Sequence, residues 1–221
     1  MAVMARTRDS RRDLLTATQA ALAQHGANGI QLKQLCSELG LAPSLVNYHF
    51  GSADQLLAEA VVESYEQYVE QNTTSVDEAG PDPEPRLRAW IMSQFDWTRA
   101  HPGIASILNF GLSSPTVGNA IVGALAERLS AASAANLSLA ARLVRDLRAG
   151  TLSQEPIDSI EIADAELTEL TTLMMWTTLG VSTWAAGNHI PTRQYTTHAQ
   201  QMHLAERAFD RVVELIKASA S

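Results

Sequence analysis

One cysteine, Cys36, is all the thiol chemistry in the chain. A single thiol closes no internal disulfide, and this usage fits a reducing compartment. Long apolar runs are also missing. No stretch approaches 18 uncharged apolar residues, so no segment is expected to span a membrane. Met1 to Ser10 carries Arg6 and Arg8 and lacks the apolar run of a signal peptide, which makes the cytoplasm the expected location. There is no Gly-rich phosphate loop, no internal repeat and no alternating strand pattern.

Catalytic and metal-binding patterns are absent too. No GxSxG occurs, and no nucleophile pairs convincingly with a base. His25, His49, His101, His189, His198 and His203 form no HxxxH or HExxH set, and the five-residue step from His198 to His203 leaves one helical face. The chain is therefore expected to be no enzyme and to need neither metal nor cofactor. What is present is enough apolar material for a core: 46% of residues are hydrophobic and 18% charged, which excludes wholesale disorder.

The net charge of −8 argues at first against a nucleic-acid partner. Its distribution reverses that reading. In residues 1–55, Arg6, Arg8, Arg11, Arg12 and Lys33 face Asp9, Asp13, Glu38 and Asp54, a net of +1. The remainder holds 11 basic and 20 acidic residues, a net of −9. An acidic body repels DNA, so only the N-terminal segment is suited to sit on it.

Helical periodicity runs through the whole chain. A first helix is expected from about Arg11 to His25, opened by Ser10 and Asp13 at capping-box spacing and stopped by Gly26. Its inward stripe is Leu14, Leu15, Thr18, Ala21, Leu22 and His25. Short helices follow from Leu32 to Leu39 and from Pro43 to Phe50. Ser52 and Gln55 make a second capping-box pair, opening a helix through about Glu70. The proline-rich, acidic stretch Asn72 to Pro85 reads as a loop. Further helices are expected at Arg86–Ala100, Gly103–Leu112, Thr116–Ala149, Asp164–Gly187 and Thr196–Ala218, with a connector over 150–160. Along one of these, Arg142, Arg145 and Arg148 read as a solvated stripe, and Glu161 and Asp164 as helix-start charges.

The most informative segment is LKQLCSELGLAPSLVNYHF, residues 32–50. Leu35 and Leu39 sit at i, i+4 and face inward. Cys36 is small enough for a second helix to cross closely, which favours a buried structural thiol over a redox sensor. Gly40 supplies a left-handed turn, Leu41 a plug, and Pro43 suits a helix start. Val46 and Phe50 bury the inner face of the second helix. This is helix-turn-helix spacing, in which the second helix enters a major groove. At 100° per residue the outward face is then Ser44, Leu45, Asn47 and Tyr48. Ser and Asn bond base edges, Leu meets a thymine methyl, and Tyr reaches base or phosphate. His49 lies to the side, placed for a phosphate or an internal hydrogen bond, and the helix opening after Ser52 offers a second phosphate site.

These residues also carry a family resemblance. Residues 8–60 resemble the DNA-binding region of TetR-type (tetracycline-repressor-like) regulators, above all through Asn47-Tyr48-His49-Phe50-Gly51-Ser52 before Asp54-Gln55-Leu56-Leu57. His101-Pro102 and the helices around it resemble that family's weakly patterned ligand domain. The resemblance implies a homodimer whose variable C-terminal pocket binds an effector that weakens DNA binding. It extends the DNA-contacting set to Gln31 and Lys33. This chain has Asn47 where the family often has Tyr, Gln31 where it commonly has Thr, and Ala53 where it usually has a phosphate-binding Lys. One charge contact fewer lowers the expected electrostatic affinity.

The expected architecture is therefore all-α: a three-helix headpiece, residues 1–55, and a larger helical effector-binding and dimerisation domain, residues 56–221. Trp90, Phe95, Trp97, Phe110, Trp176 and Trp184 fall on body helices, mostly as core. Met92, Trp97, Asn109, Phe110, Met174 and Thr177 are the candidates for lining a pocket. On the last helix Met202, Ala205, Phe209, Val212 and Ile216 recur every three or four residues. Leu170, Leu173, Thr177, Gly180 and Trp184 do the same on the helix before. With Gly180 and Trp184, the stripe Met202, Phe209, Val212 and Ile216 is the expected dimer seam. The expected function is a ligand-responsive, operator-binding regulator, of the repressor kind by resemblance, with a small-molecule effector. The rival is a helical carrier protein whose headpiece no longer binds DNA.

Overall fold

The computed structural model describes residues 2–109, 115–153, 164–186 and 198–219. They form ten α-helices and one 3₁₀ turn, and no strand occurs among the described residues. The chain divides into two compact units. One comprises residues up to Glu66 with Ala100–Ser130; the other comprises Gln67–Arg99 with the residues from Ala131 onward. Compactness thus groups the chain differently from a cut after residue 55: the first turns of a long helix, and a later segment, join the headpiece.

In the first unit, α1 (Ala2–His25) runs nine residues further toward the N-terminus than its expected start. Ser10 cannot cap it, because Ser10 is buried within it and bonded elsewhere. The inward stripe is Leu14, Leu15, Thr18 and Leu22, all buried, with the Thr18 hydroxyl donating to the Leu14 carbonyl at 2.7 Å. His25 is exposed rather than inward. Gly26 ends the helix at φ +64°, its N–H bonded to the Leu22 carbonyl at 3.0 Å. A 3₁₀ turn, Ala27–Gly29, leads into α2 (Leu32–Glu38) and α3 (Ser44–Phe50).

The rest of this unit is built on α4 (Ala53–Glu78, to Glu66), α6 (Pro102–Asn109), α7 (Pro115–Ala120) and the start of α8 (Ala124–Ala149). Gly103, in the first turn of α6, lies against the end of α1. A Cβ there would stand 2.0 Å from the Leu22 carbonyl oxygen and 2.5 Å from the Gly26 nitrogen. Only glycine permits that approach. The single helix expected over Thr116–Ala149 is instead two, because Gly123 takes φ +53° between α7 and α8. Arg128 of α8 holds both carboxylate oxygens of Glu66, a bidentate pair.

The second unit contains the rest of α4 and α8, with α5 (Pro83–Ala100), α9 (Ala165–Ala186) and α10 (His198–Ala218). The expected loop from Asn72 is helical to Glu78. Its inner face is apolar or satisfied: Tyr68, Asn72 and Val76 recur at i, i+4 and are buried. Its outer face bonds itself, with the hydroxyls of Thr73, Thr74 and Ser75 each donating to the carbonyl four residues back. The connection to α5 shrinks to residues 79–82, with Gly80 at φ +88°. Asp164 caps α9, accepting the N–H groups of Glu166 and Leu167 at 3.1 Å. Arg148 bonds Asp164, Glu166 and the Ser219 carbonyl, so this member of the arginine stripe is a tie rather than a solvated charge.

The core of this unit corrects the expected seam. Val76, Leu87, Trp90, Ile91, Phe95, Leu143 and Met174 pack with Ala205, Phe209, Val212, Val213 and Ile216. Phe209 meets Phe95 edge-on, ring centroids 5.5 Å apart. The α10 stripe is therefore consumed by its own unit and is not free for a partner; Met202 and Trp184 lean on the same core. Gly180 is exposed, with open space where a side chain would stand. Among the expected pocket residues, Met174 is fully enclosed core, Met92 packs against that core, and Trp97 is buried with its ring 4.8 Å from Tyr68. Thr177 is half-buried. The Asn109 side chain and Phe110 lie outside the described residues. No described helix is long and apolar enough to cross a membrane.

Candidate nucleic-acid interface

Helices α2 and α3 meet through a four-step turn. Leu39 follows α2, Gly40 takes φ +66°, the Leu41 N–H bonds back to the Cys36 carbonyl at 2.8 Å, and Pro43 precedes Ser44. The left-handed Gly40 has nothing within 4 Å of an added Cβ, so its conformation, not crowding, selects glycine. Leu35, Cys36, Val46 and Phe50 are buried and close the hairpin against α1. Burial pushes the Cys36 thiol up, which suppresses thiolate and fits the small-residue role over a redox one. Leu39 is exposed rather than inward, and Leu41 is half-buried. Leu39 lines a surface groove of 440 Å³ floored by Ala17, Ala21 and Leu35.

With Val46 and Phe50 inward, the other side of α3 is open. Tyr48 is 72% exposed, and Ser44 and Asn47 are exposed with it. Leu45 is half-buried at the edge of this face. Gln31 and Lys33, at the start of α2, are exposed; Gln31 makes no capping hydrogen bond and keeps its amide available. Ser52 is exposed and caps α4, its Oγ accepting the Gln55 N–H at 3.1 Å. The expected site residues thus present a donor- and acceptor-rich surface of side chains on a hairpin closed by buried Leu35, Cys36, Val46 and Phe50.

Of the two contacts expected for His49, the structure shows the internal one. Its Nε2 lies 2.9 Å from Ser10 Oγ, an internal hydrogen bond across 39 residues. Next to Ser10, the Arg11 guanidinium stands 4.9 Å over the Phe50 ring and pairs with Glu59 of α4. Sequence reasoning misses Ser10 and Arg11 as neighbours of the site. Nothing in their local pattern marks them, and Ser10 mimics a helix cap.

Among the described residues no group of three His, Cys, Asp or Glu could hold a metal ion. What these helices define is a helix-turn-helix protein. Residues 14–60 match the family model described as bacterial regulatory proteins, tetR family. A comparison with curated proteins returned no match. Solved structures share the fold over nearly the whole length. A Rhodococcus sp. protein assigned to the TetR-family transcriptional regulators is 20% identical, with a TM-score of 0.59, covering 93% of this chain and 99% of its own. One from Mesorhizobium loti, likewise assigned, is 17% identical at TM-score 0.64, covering 97% and 98%. The transcriptional regulator FadR from Bacillus subtilis, solved with stearoyl-CoA, is 13% identical at TM-score 0.60, covering 91% and 97%.

Proposed function

We propose that this chain is a homodimeric, ligand-responsive transcriptional regulator that reads an operator with α3. The observation that carries the reading is the exposed Ser44–Asn47–Tyr48 face, opposite the buried Val46 and Phe50, within the segment that matches the tetR-family model. Asn47 and Ser44 bond base edges, Tyr48 reaches base or phosphate, and Gln31, Lys33 and the capped start of α4 at Ser52 take the backbone. Two such helices, one per protomer, read major grooves one helical turn apart, roughly 34–36 Å. An effector held by the second unit changes that separation and releases the operator, which is repression relieved by ligand.

The dimer face proposed in place of the expected seam is the outer side of α9 and α10. Leu173, Trp176 and Gly180 are exposed at i, i+3, i+7, and Leu204 and Leu215 are exposed on α10. Apolar side chains left open on two long helices are the material of a four-helix interface.

Selection of bound sequences from random DNA tests the reading. A two-fold-related site is the expected result, with binding that weakens as salt rises. Repeating the selection with stearoyl-CoA, and then with metabolite pools, tests release. Enrichment of no sequence, with metabolites still bound, leaves the carrier protein in its place.

A further inference from the structure

We infer that Ser10 and Arg11 are positioning residues for sequence recognition: from α1 they set the roll of α3, and through it which base edges Asn47 and Tyr48 meet. The inference rests on the operator-reading role of α3. Two adjacent residues of α1 grip two adjacent residues of α3. Ser10 is 5% exposed and bonds His49 Nε2 at 2.9 Å, while the Arg11 guanidinium caps the Phe50 ring at 4.9 Å and is itself held by Glu59. His49 in turn meets the exposed Tyr48 ring edge-on, centroids 5.0 Å apart. A line of contacts therefore runs from a buried α1 hydroxyl to an exposed reading side chain.

Apolar burial and the Ser10–His49 hydrogen bond have different duties. Val46 and Phe50 fix how deep α3 sits, because apolar burial is non-directional. It does not fix rotation about the helix axis by a few degrees. A hydrogen bond is directional and does. The His49 side chain lies between the buried and the exposed faces, so holding its ring holds the roll. Such a role differs from a phosphate contact, which adds affinity for every sequence alike.

The test compares wild type, Ser10→Ala, His49→Ala and the double variant. Each is measured for affinity toward the selected operator and toward unrelated DNA across a salt series, with thermal melting alongside. The expected result is a fall of about 3- to 10-fold in the ratio of specific to non-specific affinity for Ser10→Ala, the size of one hydrogen bond's net worth. The double variant should lose no more than His49→Ala alone, and the salt slope should not change. Arg11→Met, which removes the guanidinium from over Phe50 and frees Glu59, should lower the same ratio, and it provides the reading should Ser10→Ala fold poorly. An unchanged ratio with only a lowered melting temperature overturns the inference, because the contact is then structural alone. A uniform loss on all DNA with a shallower salt slope overturns it in favour of a phosphate contact. A wild-type protein that enriches no sequence removes the operator-reading role itself.

Discussion

Tyr48 and Asn47 occupy a helix whose other side is closed by Val46 and Phe50, so truncating them removes contacts without opening the core. Tyr48→Ala and Asn47→Ala are each expected to cost about 1–3 kcal/mol of discrimination between the operator and a mismatched site. The circular dichroism signal and melting temperature should stay near wild type. Operator affinity that survives both changes on a folded protein would move base reading off this face. Such residues are legible in the amino-acid sequence, since a seven-residue helix with two inward positions leaves few choices for the rest. Ser10 is not. Its spacing to Asp13 mimics a capping box, and the partner that overrides this, His49, lies 39 residues away. A local pattern cannot register a hydrogen bond of that separation. Leu39 misleads for a related reason: inward by period, it is exposed beside the groove along α1 and α2.

Elements are legible where period and punctuation agree, and misleading where a polar helix imitates a loop. The hairpin α2–Gly40–α3 carries its own stop and start, and the Ser52 cap of α4 holds as expected. The end of α4 is hidden because Asn72, Thr73, Thr74 and Ser75 have the composition of a loop. Asn72 instead donates to the Asn136 side-chain oxygen Oδ1 at 3.1 Å, which also accepts the Trp90 indole N–H at 3.2 Å. A buried amide with a distant partner is again non-local information. Packing of α6 on α1 is equally invisible to local pattern, and it yields a sharp expectation. Gly103→Ala would drive a Cβ into the backbone of α1, at Leu22 and Gly26, which no rotamer change relieves. A loss of at least about 1–3 kcal/mol is expected, the scale of overpacking a closed interior. Faster hydrogen exchange in α1 and α6 together would report it, and wild-type protection in both would show that the helices part cheaply. The tie between α5 and α10 is gentler. Hydrogen bonds from Arg88 and then Lys217 hold the Glu84 carboxyl below its ordinary range. A lowered folded-state value means stability present above the unfolded pKa and lost as pH falls through the folded one. Glu84→Gln is thus expected to lower stability at neutral pH by about 0.2–1 kcal/mol, the scale of a part-exposed pair. That deficit should vanish in acid melts; a deficit that persists there would have some other cause.

At the scale of the whole molecule the issue is which apolar stripe serves the protomer and which would serve the proposed pair. Periodicity alone cannot separate them, because α10 carries one stripe through Ala205, Phe209, Val212 and Ile216 and also leaves Leu204 and Leu215 outside. Burial separates them. The first stripe meets Trp90, Phe95 and Met174 within one chain, whereas Trp176, 67% exposed, stands with Leu173, Leu204 and Leu215 on helix faces left open by the described residues. The two stripes therefore answer the same substitution in opposite ways. Phe209→Glu would bury a carboxylate against Phe95 in an apolar core, and the expected outcome is a protein that melts several degrees lower or does not fold, since an unpaired buried charge costs about 3–5 kcal/mol. Trp176→Glu changes an exposed side chain and should leave the fold of each protomer intact. In a two-fold pair, however, it sets a carboxylate from each subunit into one apolar contact, so light scattering should report half the mass. Operator affinity should fall with it, because a lone protomer loses the gain of linking two readers. A Trp176→Glu protein that keeps its dimer mass would free that face of any such role. A Phe209→Glu protein that stays folded and becomes monomeric would return the interface to the Phe209 stripe and overturn the core assignment made for it.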